Sequence, residues 1–308
     1  MRLRFLLLPI ALTALAGCDL LDFADHQRVT EDFHHSYPLK PGGRLSVENH
    51  NGAVEISGWD QDTVEISGTK FAHNEETLKA MRIDIAATPD SVLIRTIRPV
   101  DRRVSSGAKY SIRVPRRTIL ERVVSTNGHI RAEGVESGAR LKTSNGAVRV
   151  YHVNGAVDVT TSNGTVEIDS VDGDVVLRTS NGRVRADDVR GAIDASTTNG
   201  SITVDVSKPQ PSRRIRLQTS NGGVELTLNE LNQNEVEAST SNGSITVRLP
   251  ATAGARLTAR TSKSRIETDF DVKTPGLVDK NRLEGMIGAG GPLVDLSTSN
   301  GAIRVLKL

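Results

Sequence analysis

Carboxylates are the side chains of this sequence best suited to chemistry. Asp172 and Asp174 flank Gly173, and Asp187-Asp188 stand just ahead of the next such turn at Arg190-Gly191. Two carboxylates facing one bond can act as the acid and base of glycan hydrolysis, provided one of them keeps its proton near neutrality. A sugar also needs a surface to lie on, and from Val123 onward the aromatics are only Tyr151 and Phe270. Serines are frequent, but Ser144, Ser162, Ser180, Ser220, Ser241 and Ser299 all precede an asparagine of one recurring motif. A nucleophile is needed once, beside a base, so a serine repeated in this way reads as structure. The histidines His26, His34, His35, His50, His73, His129 and His152 show no metal-ligand spacing with cysteine. Ile287-Gly288-Ala289-Gly290-Gly291 lacks the Lys-Ser/Thr and the helix of a phosphate loop. No catalytic set, metal or cofactor is expected from these residues.

The one cysteine has a different context. Arg2 and Arg4 precede an apolar run from Phe5 to Leu15, too short to span a bilayer, and then Ala16-Gly17-Cys18. Leu15-Ala16-Gly17-Cys18 resembles the bacterial lipobox, in which the cysteine thiol takes a diacylglycerol and becomes the first mature residue. Residues 1–17 are therefore expected to be a signal peptide and Cys18 the lipidation site. Several acyl chains anchor far more firmly than one, so the lipid bilayer is the first expected partner. Asp19 resembles an inner-membrane retention signal, and both the periplasmic face of the inner membrane and the outer membrane stay open. The chain has 39 Lys+Arg against 37 Asp+Glu; loss of Arg2 and Arg4 would balance the mature charge. No net field then gathers nucleic acid.

These residues must be positioned by a repeat. Asn-Gly recurs at Asn127, Asn145, Asn163, Asn181 and Asn199, each 18 residues after the last, with further copies at Asn51, Asn221, Asn242 and Asn300. Three and five residues beyond each asparagine the chain is apolar, as at Val148 and Val150 or Val166 and Ile168. A second alternating pair precedes the next asparagine, as at Val157 and Val159, so each unit supplies two short strands. Looser turns sit mid-unit at Asn154-Gly155, Asp172-Gly173 and Arg190-Gly191. Such units can form an antiparallel meander, with Asn-Gly as the hairpin turn, or a β-solenoid in which each unit is one coil. Stacking is preferred because it explains one invariant corner and one loose corner, and because stacked asparagine amides can bond from coil to coil. The outward positions run Arg131, Arg149, Glu167, Arg185, Thr203, Glu225, Thr246 and Glu267, and from Arg149 the charged neighbours mostly alternate in sign, which suits a parallel ladder.

The expected organisation is all-β: an acylated Cys18 and tether over 18–38, a less regular β section over 39–122 and the regular solenoid of ~18–22-residue coils over 123–308. A helix is expected from Glu75 to Ile85, where Leu78, Met81 and Arg82 hold helical spacing. The beat breaks at Ser207–Ser212, at Asn232–Asn234, at Lys263 in place of asparagine, and over 271–292. Insertions collect on loops, where binding is concentrated. A strand carrying Val305 would end the stack and leave an open edge.

The lipobox, the stretch Pro41-Gly42-Gly43-Arg44-Leu45-Ser46-Val47-Glu48-Asn49-His50-Asn51-Gly52, then Gly58-Trp59-Asp60, Tyr110-Ser111-Ile112-Arg113-Val114-Pro115 and the Ser-Asn-Gly train together resemble a bacterial family of β-strand-repeat proteins, a domain of unknown function described by the name "putative adhesin". The resemblance covers residues 36–308 and implies a solenoid-like envelope domain. Three functional expectations follow. The first is a non-enzymatic envelope lipoprotein binding a glycan or an envelope protein. The second is a polysaccharide hydrolase or lyase using the corner carboxylates. The third is an accessory of envelope-stress signalling.

Overall fold

A computed structural model describes residues 28–99, 106–274 and 279–308; the signal-peptide and lipidation assignments, Cys18 included, lie outside them. The alternation read from the sequence produces strands almost throughout. In order come β1 (Val29–Pro38), β2 (Arg44–Asn51), β3 (Val54–Trp59), β4 (Thr63–Ala72), α1 (Glu75–Ala80), β5 (Arg82–Thr88), β6 (Ser91–Ile97), β7 (Ser106–Pro115), β8 (Ile119–Asn127) and β9 (Ile130–Glu133). Two strands per unit then continue to Ile303–Lys307. Strands that follow the asparagine corner form one sheet of 13, and strands that precede it form a second of 14.

Successive units pair parallel and in register. Val148 lies beside Val166 and Val166 beside Val184, while Val157 lies beside Val175 and Val175 beside Ile193. The fold is therefore a two-sided β-solenoid and not the antiparallel meander. Inward residues of both sheets meet in one continuous core that runs from Leu39 to Val305. No coil could bury its apolar faces alone, so each is stable only between neighbours.

Four expectations are corrected. The tether does not extend to residue 38, because β1 pairs antiparallel with β4 along its whole length, with Phe33 and Tyr37 packed on the core. The helix stops at Ala80, capped by Asn74 at its start. Beyond it Ile83 and Ile85 alternate and join β6 as a strand. The boundary at 122/123 cuts β8, which belongs to both sections.

The C-terminal strand is not an edge. Ile303–Lys307 lies between Ile245–Leu249 and Ile266–Thr268, so the coil containing Lys263 is outermost and the last unit is inserted beneath it. The 271–292 insertion builds the end cap: Val272–Lys273 and Arg282–Ile287 add antiparallel strands outside Ala255–Thr261. At the opposite end β6 and β7 lie outside β2 and β3, and the antiparallel strands β1 and β5 are the outermost of the two sheets.

Candidate functional site

Each coil has two corners, and they are built differently. At the first, all nine predicted asparagines stack. Asn127 Nδ2 donates to Asn51 Oδ1 at 2.7 Å, and the pattern continues through Asn145, Asn163, Asn181, Asn199, Asn221 and Asn242 to Asn300, which donates to Asn242 at 2.6 Å. Asn51 closes the series by donating to the Ser106 carbonyl. Every amide points the same way, and the place after Asn300 is held by Lys263.

The threonine two residues earlier plays a part that sequence patterning passes over. Thr143, Thr161, Thr179 and Thr197 are buried, and each hydroxyl donates at 3.0 to 3.2 Å to the glycine carbonyl of the preceding coil's corner. The exposed asparagine ladder and the part-buried Thr–Gly bonds together lock one coil to the next. That arrangement is a structural seam with no free reactive group.

The second corner is irregular. His152, Ser170 and Asp188 occupy equivalent places on successive coils with φ of 53°, 57° and 49°, and Gly134 precedes them at 68°. Left-handed backbone is costly for residues other than glycine. Each of the three is skipped in the ladder, which pairs Tyr151 with Asp169 and then Val153 with Val171. The skipped residue makes a bulge that turns the following valine inward, so Val135, Val153, Val171 and Val189 join the core. The signal in the sequence is an apolar residue eight places after the asparagine, which breaks the period of two.

The bulges leave shallow hollows along this edge. One, of about 350 Å³, is lined by residues including His152, Ser170, Asp172, Asp188 and Arg190. A second, of about 290 Å³, shares Asp172 and Arg190 with it and extends under Lys208–Pro211, the inserted loop. On the same edge, nearer β1, a hollow of about 300 Å³ is bounded by Trp59, Asp60, Arg116 and Glu136 among others.

The carboxylates considered for acid–base work are placed here, each in its own setting. Asp174 faces Arg213 at 3.6 Å, and Asp187 is bonded by Arg185 at 2.5 Å. Asp188 accepts from Ser207 Oγ at 2.5 Å and from Arg190 at 3.1 Å, and these bonds, that of Ser207 first, hold its pKa below the usual range. Asp172 lines the joined hollows without an ion pair among the described residues. The carboxylate pushed upward is Asp205, raised by burial and then by Asp187 and Asp188.

Asp205 gives a pH prediction. A carboxylate whose pKa is raised in the folded state opposes folding when ionised, so its penalty is present at neutral pH and fades as pH falls through the carboxylate range. Asp205→Asn is expected to raise the melting temperature at pH 7, with a smaller gain at pH 4. Melting curves at the two pH values check it; an equal gain at both would show that charge is not the cause.

A family model described as Toastrack DUF4097 matches residues 43–306. The chain belongs to that family. The Toastrack repeat is thus the stacked coil described above, and the match takes in the irregular first section as well as the regular units. Among solved structures, a protein of Bacteroides fragilis NCTC 9343 described as a "putative adhesin" aligns over 90% of this chain and 97% of its own at 13% identity, with a TM-score of 0.44. A "putative cell adhesion protein" of Clostridium sporogenes ATCC 15579 aligns over 90% of this chain and 100% of its own at 12% identity, with a TM-score of 0.23. No curated protein matches the Toastrack chain.

The outward charges of the first Toastrack sheet pair across coils at Arg149–Glu167 and Arg304–Glu267. Arg131 and Arg185 turn instead along their own strands, to Glu133 and Asp187. Among the described residues no helix is long and apolar enough to cross a membrane, and no group of His, Cys, Asp and Glu is arranged to hold a metal ion.

Proposed function

We propose that this Toastrack protein is a non-enzymatic envelope lipoprotein, anchored through Cys18, whose second corner holds an extended polar segment of another envelope protein. The observation that carries this reading is the pair of joined hollows spanning His152 to Lys208, built on bulged backbone and edged by both signs of charge. Shallow, polar hollows in a line suit a chain lying across coils better than a compact small molecule. A protein segment suits them better than a sugar, since the aromatic faces near this edge are already occupied. Arg113 lies over Trp59 at 4.6 Å and Arg131 over Tyr151 at 4.9 Å.

Photo-crosslinkers placed in intact cells at Asn154 and Lys208 are expected to capture one protein partner, and one at Ser180 on the opposite corner is not. Arg190→Glu should reduce capture roughly tenfold, the scale of a lost charge pair at an interface. Equal capture from both corners would refute the groove. Cys18→Ser is expected to move the protein from the membrane pellet to the soluble fraction and to remove acyl mass from its N-terminal peptide. Retention in the pellet would count against lipid anchoring.

The polysaccharide hydrolase or lyase reading rests on Asp172 at the same groove. Hydrolysis that is lost in an Asp172, Asp174, Asp187, Asp188 quadruple alanine variant would establish it in place of the binding role.

A further inference from the structure

The two ends of the stack are finished differently. At the Lys263 end the sheet edges are Ile266–Thr268 and Val272–Lys273, of three and two residues. At the other end β1 offers ten residues in unbroken register with β4, and no described strand lies on its outer side. An open edge presents unpaired N–H and C=O groups that template another strand, and proteins usually guard it with lysine, a bulge or shortness. β1 is long, unbulged and without lysine, and its charges, Glu31 and Asp32, are acidic, with Pro38 at its far end.

We propose that a second copy of this chain fills that edge, β1 pairing antiparallel with β1 about a two-fold axis through Phe33. An isologous contact of this kind needs a self-complementary strand, and the sequence Val29–Pro38 is one. With the axis on Phe33, Asp32 faces His34 of the other copy and Glu31 faces His35. Moving the axis by one residue either way loses both pairs. Within one copy these side chains already have partners that the contact would share: Glu31 is paired with Lys70 at 2.9 Å. The His34 side chain is 58% exposed, with Nδ1 on Ser67 Oγ at 3.0 Å and Nε2 3.7 Å from Glu65. Asp32 accepts from Thr69 through Oδ1, and no bond among the described residues uses its Oδ2. On the inner face Phe33, packed edge-on against Tyr110 at 5.5 Å, would meet its own copy as a cross-strand aromatic pair. The helix α1 packs against Val29 at the start of the strand, and Thr30 to Ser36 are the residues assigned to the pairing. Joined in this way, two solenoids form one longer rod with a continuous first sheet.

The test uses the full chain carrying Cys18→Ser in detergent, so that an introduced cysteine is the sole thiol. Phe33→Cys is expected to give a disulfide-linked dimer under mild oxidation. A mixture of Asp32→Cys and His34→Cys chains should give a mixed disulfide well above that of either chain alone, a readout independent of any harm from replacing Phe33. By sedimentation, Asp32→His and His34→Asp should each weaken dimerisation at least tenfold, and the doubly swapped Asp32→His/His34→Asp chain should recover it. A chain that sediments as a monomer at every concentration, crosslinking no greater than in a Ser180→Cys control, or β1 thiols that trap a different protein would each overturn the proposal.

Discussion

Val166→Asp is expected to unfold several coils together and to lower stability by about 4 kcal/mol or more, the range of an unpaired buried charge. Val166 is fully buried and lies in register between Val148 and Val184. A carboxylate there has no partner within the core, and the coils on either side lose the packing that their own stability requires. Hydrogen exchange should show lost protection spreading outward from this coil. Glu167→Ala, one residue away but facing solvent with Arg149 at 3.5 Å, should change stability by at most about 1 kcal/mol. A Val166→Asp protein that melts like wild type would mean the inward and outward assignments are reversed.

Gly182→Ala is expected to be nearly as damaging, by about 3 kcal/mol or more, although it adds one methyl group. A Cβ at Gly182 would lie 2.0 Å from the Gly164 carbonyl oxygen and 2.6 Å from its carbon. Both atoms are backbone, so a rotamer change gives no relief and the coils must move apart. That movement would stretch the Asn181–Asn163 amide bond of 2.8 Å and the Thr179–Gly164 bond of 3.1 Å. Gly223→Ala is the control: there the nearest atom is the Ser244 oxygen at 3.4 Å, and stability should stay within about 0.5 kcal/mol. Chemical denaturation of the pair measures the difference, and equal loss from both would remove close approach as the reason for the glycine column.

This glycine also shows how an Asn-Gly motif is misread as a hairpin. In a hairpin the pair is chosen for positive φ at both residues. Of the stacked corner glycines Gly52 has positive φ, whereas Gly128, Gly146, Gly164 and Gly182 do not. They are glycine because the neighbouring backbone leaves no room for a side chain. The second corner was less legible. The positions of His152, Ser170 and Asp188 carry no common side-chain type; what they share is a backbone conformation, which residue identity reports only weakly. The hollows they frame also depend on the inserted loop folding back over Arg190, a non-local contact with no local pattern.

The all-β class, the coil, the inward valines and the asparagine ladder were all legible in the order of residues, because each follows from a short period repeated along the chain. Strand alternation and identical corners specify which atoms meet when one unit lies on the next. How the stack ends emerged from the folded arrangement alone. β1 became an edge strand in place of a tether, the unit containing Val305 slid beneath the coil containing Lys263, and the open edge moved to the opposite end of the rod. Strand order at the ends rests on pairings such as β1 with β4 and Ile303–Lys307 with Ile266–Thr268. That choice is made between segments far apart in the chain, and the repeat carries no mark of it.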